Sequence, residues 1–143
     1  MKPTSVLLPL SFLASYASAK LGINCQGSQL CHKGNGDLVD YVNHIDCNRM
    51  YENGEHIACI NRGHKILGKQ PGMCLFLQYA TQPISGATIQ GLLGQIIAHG
   101  CEGCGSVPLS YLPEFGLINN PDAGILTLNY LSDTANPCDP GLC

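Results

Sequence analysis

Apolar residues recur with two different periods along this chain, and the switches between them mark its elements. Leu38, Tyr41, Val42 and Ile45 fall at i, i+3, i+4 and i+7. That spacing puts them on one face of a helix opening at Asp37, with Asn35 or Asp37 as its cap. Ile89, Leu92, Leu93, Ile96 and Ile97 make a longer stripe of the same kind, predicting a second helix from about Ser85 to His99. Gly100 is placed to end it. Gly91 and Gly94 each weaken this helix by about 1 kcal/mol relative to alanine, which is tolerable if that face lies close against a strand.

Between and around the helices the period is two or the run is uniformly apolar. Lys20 to Cys25 reads as an opening strand, His56 to Ile60 as a second, and Met73 to Tyr79 as the strongest of the middle region. Gly124 to Leu131 reads as a last strand, with Leu126, Leu128 and Tyr130 facing one way and Ile125, Thr127 and Asn129 the other. Gln26 to Gly36, Asn48 to Glu55, Thr81 to Gly86 and Gly105 to Ala123 are rich in turn formers and read as loops. Asn61 to Gly72 carries Arg62, Lys65 and Lys69 with three glycines and a proline, a basic flexible loop or hairpin connection. Strand, helix, strands, helix, strand is the order of an α+β sandwich, with two helices on one face of a mainly antiparallel sheet.

The first residues change the compartment. Lys2, an apolar core from Val6 to Leu13 and Ala17-Ser18-Ala19 form a secretory leader with cleavage expected after Ala19. The apolar run falls short of the ~20 residues that a membrane span needs. A single extracellular domain over residues 20–143 is the expected product. Removing Lys2 leaves six Lys and Arg against ten Asp and Glu, a formal charge of −4. An acidic chain of this kind is a poor nucleic-acid binder and a poor general adsorbent to anionic lipid. Without tryptophan it lacks an obvious aromatic platform for sugars, and no Asn-x-Ser/Thr sequon occurs.

Nine cysteines in an exported chain predict a disulfide framework with one thiol left over. Cys101 and Cys104 follow the second helix, and Cys25 and Cys31 open the mature chain. Joining the two pairs would staple the start of the domain to the end of that helix, although spacing alone does not fix who bonds to whom. His99, Cys101 and Cys104 also have zinc-knuckle spacing, but the second ligand pair is too loosely spaced and export favours disulfides. A redox Cys-x-x-Cys would need its helix after the motif, and here the helix precedes it. A Cys–His nucleophile pair has no preorganised cysteine to use. The carboxylates Asp37, Asp40, Glu52 and Glu55 show no spacing that singles out a glycosidase pair and read as solvated charges. No cofactor or catalytic residue is expected. Arg62, Lys65 and Lys69, with His64 between them, are the one basic cluster. They are either a solvated loop or a contact site for an acidic target such as the carboxylate-lined mouth of a cation channel. Disulfide rigidity would lower the entropic cost of such binding.

Three blocks carry a resemblance. Leu21-Gly22-Ile23-Asn24-Cys25 with Gly27-Ser28 and Cys31, His99-Gly100-Cys101-Glu102-Gly103-Cys104-Gly105-Ser106 with Pro108-Leu109, and Gly124-Ile125-Leu126-Thr127-Leu128-Asn129-Tyr130 together resemble the smut-fungus killer toxin family, killer protein four type. The blocks follow the family's order and span nearly the whole mature chain. The resemblance implies an α/β sandwich with two antiparallel helices on an antiparallel sheet. It implies bridges Cys25–Cys101 and Cys31–Cys104, and a bond from Cys59 to a C-terminal cysteine, for which Cys138 is the better match. Elimination then joins Cys47 to Cys74 and leaves Cys143 as the odd thiol. The resemblance further implies a secreted, non-enzymatic inhibitor of growth, acting at a membrane calcium channel of competing or host cells. The family uses a lysine two residues before the cysteine matching Cys59; here that position is Ile57. His56, Arg62, Lys65 and Lys69 are the candidates to take its place. The alternative is a secreted effector or surface-binding module on the same fold.

Overall fold

The computed structural model describes residues 22–31, 34, 36–111, 123–134, 138 and 141–143. The predicted leader, residues 1–19, lies outside them. The chain order is α1 (Gly36–Asn43), β1 (Met50–Tyr51), β2 (His56–Asn61), β3 (Gly72–Gln78), β4 (Ile84–Ser85), α2 (Gly86–Ala98), β5 (Gly105–Pro108) and β6 (Ile125–Leu131). The fold is a disulfide-rich α+β sandwich. β2, β3, β6 and β5 form a fully antiparallel sheet in that order, and β1 pairs with β4 in a second, two-stranded one.

Register explains the core. Leu75 stands opposite Leu128, Leu77 opposite Leu126, and Val107 opposite Leu126 from the other side. These residues are fully buried on the face that receives the helices. α1 contributes Leu38 and Val42, with Ile45 just beyond its end, and α2 contributes Ile89, Leu92, Leu93 and Ile96. The helices run antiparallel. Gln90, early in α2, donates to the carbonyls of Val42 and Asn43 at the end of α1, and Ile97 shares a groove with Gly36 and Val39 at its start. Ser85 caps α2, its hydroxyl accepting from the Thr88 N–H at 3.2 Å. Gly86 lies so close to the chain below it that an added Cβ would sit 2.2 Å from the Asp46 carbonyl oxygen. Gly91 and Gly94 do not lie against a strand. They are exposed, with nothing within 4 Å of an added Cβ, so they face solvent and not a strand.

Three more expectations need correction. Residues 48–55 and 81–86 contain β1 and β4, whose two-residue length leaves no periodicity to read. The Gly105–Ala123 stretch opens with β5. The opening segment is no full strand over its described residues: Asn24 alone bridges Ser106, exchanging two backbone bonds of 3.0 and 2.9 Å. At the opposite edge of the sheet, Leu142 bridges Ala58, with Cys59 N–H donating to Gly141 and Cys143 N–H to Ile57.

Four bridges are formed. Cys25 joins Cys101 and Cys31 joins Cys104, across 76 and 73 residues. The other two differ from the expected Cys59–Cys138 and Cys47–Cys74. Cys59 joins Cys74, and Cys138 joins Cys143. Strand register is the reason: Cys59 and Cys74 are direct cross-strand partners, with Cα atoms 4.1 Å apart. Alternation puts the Cys74 side chain on the sheet face away from the helices. Cys47 follows α1 on the helical side, so the sheet separates the two. Cys47, and not Cys143, is the unpaired cysteine, and it is exposed beside Gln90.

Candidate functional site

The loop between β2 and β3 is a hairpin connection, closed at both ends. At its base the Cys59–Cys74 bridge locks the two strands, and the Arg62 N–H donates to the Pro71 carbonyl at 2.9 Å. At its tip Ile66 and Lys69 exchange backbone bonds of 2.9 and 3.0 Å. Leu67 and Gly68 are the two central residues, with φ of 51° and 81°. Positive φ at both positions defines the type I′ turn, whose twist matches that of the flanking strands. The loop is therefore held at base and apex, the hairpin connection of the two readings its composition allows.

The four residues expected to contact a target do not form one site. Lys65 and Lys69 flank the turn and are exposed. Exposed His64 precedes them. Arg62 is half-buried nearer the base, and its Nη2 donates to the Gly34 carbonyl at 2.7 Å. It ties the hairpin to the segment before α1 and is spent as a strut. His56 begins β2, at the end remote from the turn; its ring lies 5.7 Å from that of Phe76, and its Nδ1 is 3.8 Å from Cys59 Sγ. The length of β2 separates it from the lysines at the turn.

Ile57 is the position where the resemblance implies a lysine. β2 and β3 shift register between His56 and Ala58, and Ile57, the extra residue of that bulge, is fully buried. A charged head could not occupy this position without leaving the core. The tip between the lysines is apolar. Ile66 and Leu67 are 67% and 97% exposed, the latter more than any other large apolar residue among those described. No turn signal in the sequence marks the spot, since Leu67-Gly68 after Ile66 lacks the Asn or Asp that a two-residue hairpin turn favours.

The other candidate chemistries resolve into structure. Cys101 and Cys104 are used in bridges. His56 with Cys59 and Cys74, and Cys59 with Cys138 and Cys143, bring possible ligand atoms within 4.8 Å of one another. Their sulfurs are paired as disulfides, which leaves no thiolate for a metal. Glu55 pairs with Arg49 and accepts the Glu52 N–H at 2.8 Å. Asp37 and Asp40 lie on α1, exposed.

Comparison with known proteins agrees with the architecture. The family model described as Kp4 matches residues 8–132. The chain is similar to the KP4 killer toxin of Ustilago maydis P4 virus, 31% identical over 112 residues, covering 78% of this chain and 81% of the toxin. The chain belongs to the Kp4 family.

Proposed function

We propose, from membership of the Kp4 family as premise, that this protein is an exported killer-toxin-like inhibitor of growth. It acts on competing or host cells by binding a calcium channel in their membrane and catalyses no reaction. The observation that carries this reading is the hairpin. Two exposed lysines stand on a turn clamped by the Cys59–Cys74 bridge, so binding there orders little that is not already ordered. Carboxylates at a channel mouth are the complementary chemistry. No helix among the described residues is long and apolar enough to cross a membrane, in keeping with action from outside the target cell.

Purified protein applied to a panel of fungal and plant cells tests the proposal, with growth and calcium uptake read together. Inhibition of both, relieved by added calcium and weakened by Lys65→Glu with Lys69→Glu, is the expected result. Unchanged growth and uptake throughout the panel would end it. One observation favours a second reading, a secreted effector or surface-binding module without channel blockade: the family's lysine position is a core isoleucine. Growth inhibition with calcium uptake unaltered would select that reading.

A further inference from the structure

The apex of the β2–β3 hairpin carries a cost that the fold does not explain. Leucine at φ 51° lies in the left-handed region, which asparagine and glycine enter far more readily. Tertiary packing does not compensate, because Leu67 is 97% exposed. A turn built only to reverse the chain would have Asn-Gly here. Ile66 beside it is also largely exposed, and Lys65 and Lys69 bracket the pair. An apolar point with cations on both shoulders is thus held out from the body on a doubly fastened stem.

We propose that Ile66 and Leu67 insert into the interfacial layer of an anionic lipid membrane, with Lys65 and Lys69 resting on its headgroups. Two features of the tip select this partner. Its charge complements phosphate and serine headgroups. Its shape is convex, so a protein partner would have to supply a matching cleft, whereas a bilayer accepts a protruding apolar point anywhere on its surface. The acidic remainder of the chain opposes adsorption over a broad face, which confines contact to this hairpin. The inference does not depend on the channel reading, because lipid vesicles hold no channel.

The test uses the full mature, oxidised protein with phosphatidylcholine vesicles, with and without phosphatidylserine, at physiological salt. Co-sedimentation is expected to show partition that requires phosphatidylserine. Leu67→Asn keeps the turn chemistry, so it folds, and is expected to lower partition by about tenfold for the loss of one inserted leucine. Lys65→Gln with Lys69→Gln should lower it by on the order of tenfold and remove the dependence on phosphatidylserine. Because the chain has no tryptophan, Leu67→Trp supplies a single reporter, whose emission should shift to the blue on vesicles and be quenched by brominated acyl chains. Failure of the unaltered protein to sediment with anionic vesicles overturns the proposal. So does equal partition of Leu67→Asn, which would mean surface electrostatics alone. Binding to intact cells but not to vesicles also overturns it, in favour of a protein partner, and leaves the channel reading standing.

Discussion

Cys25–Cys101 and Cys31–Cys104 close nearly the same loop, and that makes their loss strongly non-additive. Alone, a bridge across 76 residues removes about 4.5 kcal/mol of unfolded-chain entropy. With Cys31–Cys104 already in place, Cys25–Cys101 closes a ring of only roughly nine residues, worth about 2.6 kcal/mol by the same relation. The converse holds for Cys31–Cys104. Removing either bridge by a Cys→Ala pair should therefore cost about 2.6 kcal/mol, and removing both about 7 kcal/mol. A domain of this size has ~5–15 kcal/mol in all. Urea denaturation followed by circular dichroism is the assay. Each single-bridge variant should keep one cooperative transition at a lowered midpoint. The four-fold variant should lose most or all of its transition. If either single-bridge variant is as unfolded as the four-fold one, or if the two single costs sum to the combined cost, the shared-loop reasoning is wrong.

Other outcomes follow from individual contacts. Ellman's reagent should titrate one thiol per native chain, and peptide mapping should assign it to Cys47; two reactive thiols, or none, would contradict the pairing. Gly91→Ala should raise stability by about 1 kcal/mol, because the site is open and helical. Gly86→Ala should lower it by ~2 kcal/mol or more, since the new methyl meets the Asp46 carbonyl; thermal melts of the two variants check both signs. Burial pushes the Tyr51 phenol above its ordinary value, opposed in part by the Arg49 guanidinium 4.3 Å from its ring. The folded state thus holds this proton more tightly than the unfolded chain. Its contribution is complete below about pH 10 and is lost as pH rises through the folded value. Tyr51→Phe should flatten that alkaline limb in melts taken across the range.

Much of the fold was legible because periodicity reports burial. Leu38, Val42, Ile89, Leu92, Leu93 and Ile96 all lie where their spacing put them, under the sheet. Ser85 and Gly100 were readable as helix ends for the same local reason. The elements that were missed are those whose existence is non-local. β1 and β4 are two residues long and exist only because each finds the other. The Cys59–Cys74 pairing needed register, which no count of cysteines contains: the hairpin places the two opposite each other. The candidate site was half legible. Its charges, Lys65 and Lys69, stood out against an acidic chain. Arg62 could not be separated from them without the Gly34 carbonyl that occupies it. Leu67 went unnoticed because an apolar residue in a loop is ordinarily unremarked, and only its exposure gives it meaning.

Asn24 and Leu142 sit at opposite rims of the four-stranded sheet, on β5 and β2. The segments around these two residues thus hem the sheet, each fastened by a cystine one residue from the seam. Rims closed in this way offer little to a neighbouring copy seeking a strand to extend. A cut that released either segment would unpick the seam and bare a sticky border, so resistance to clumping rests on these few bonds.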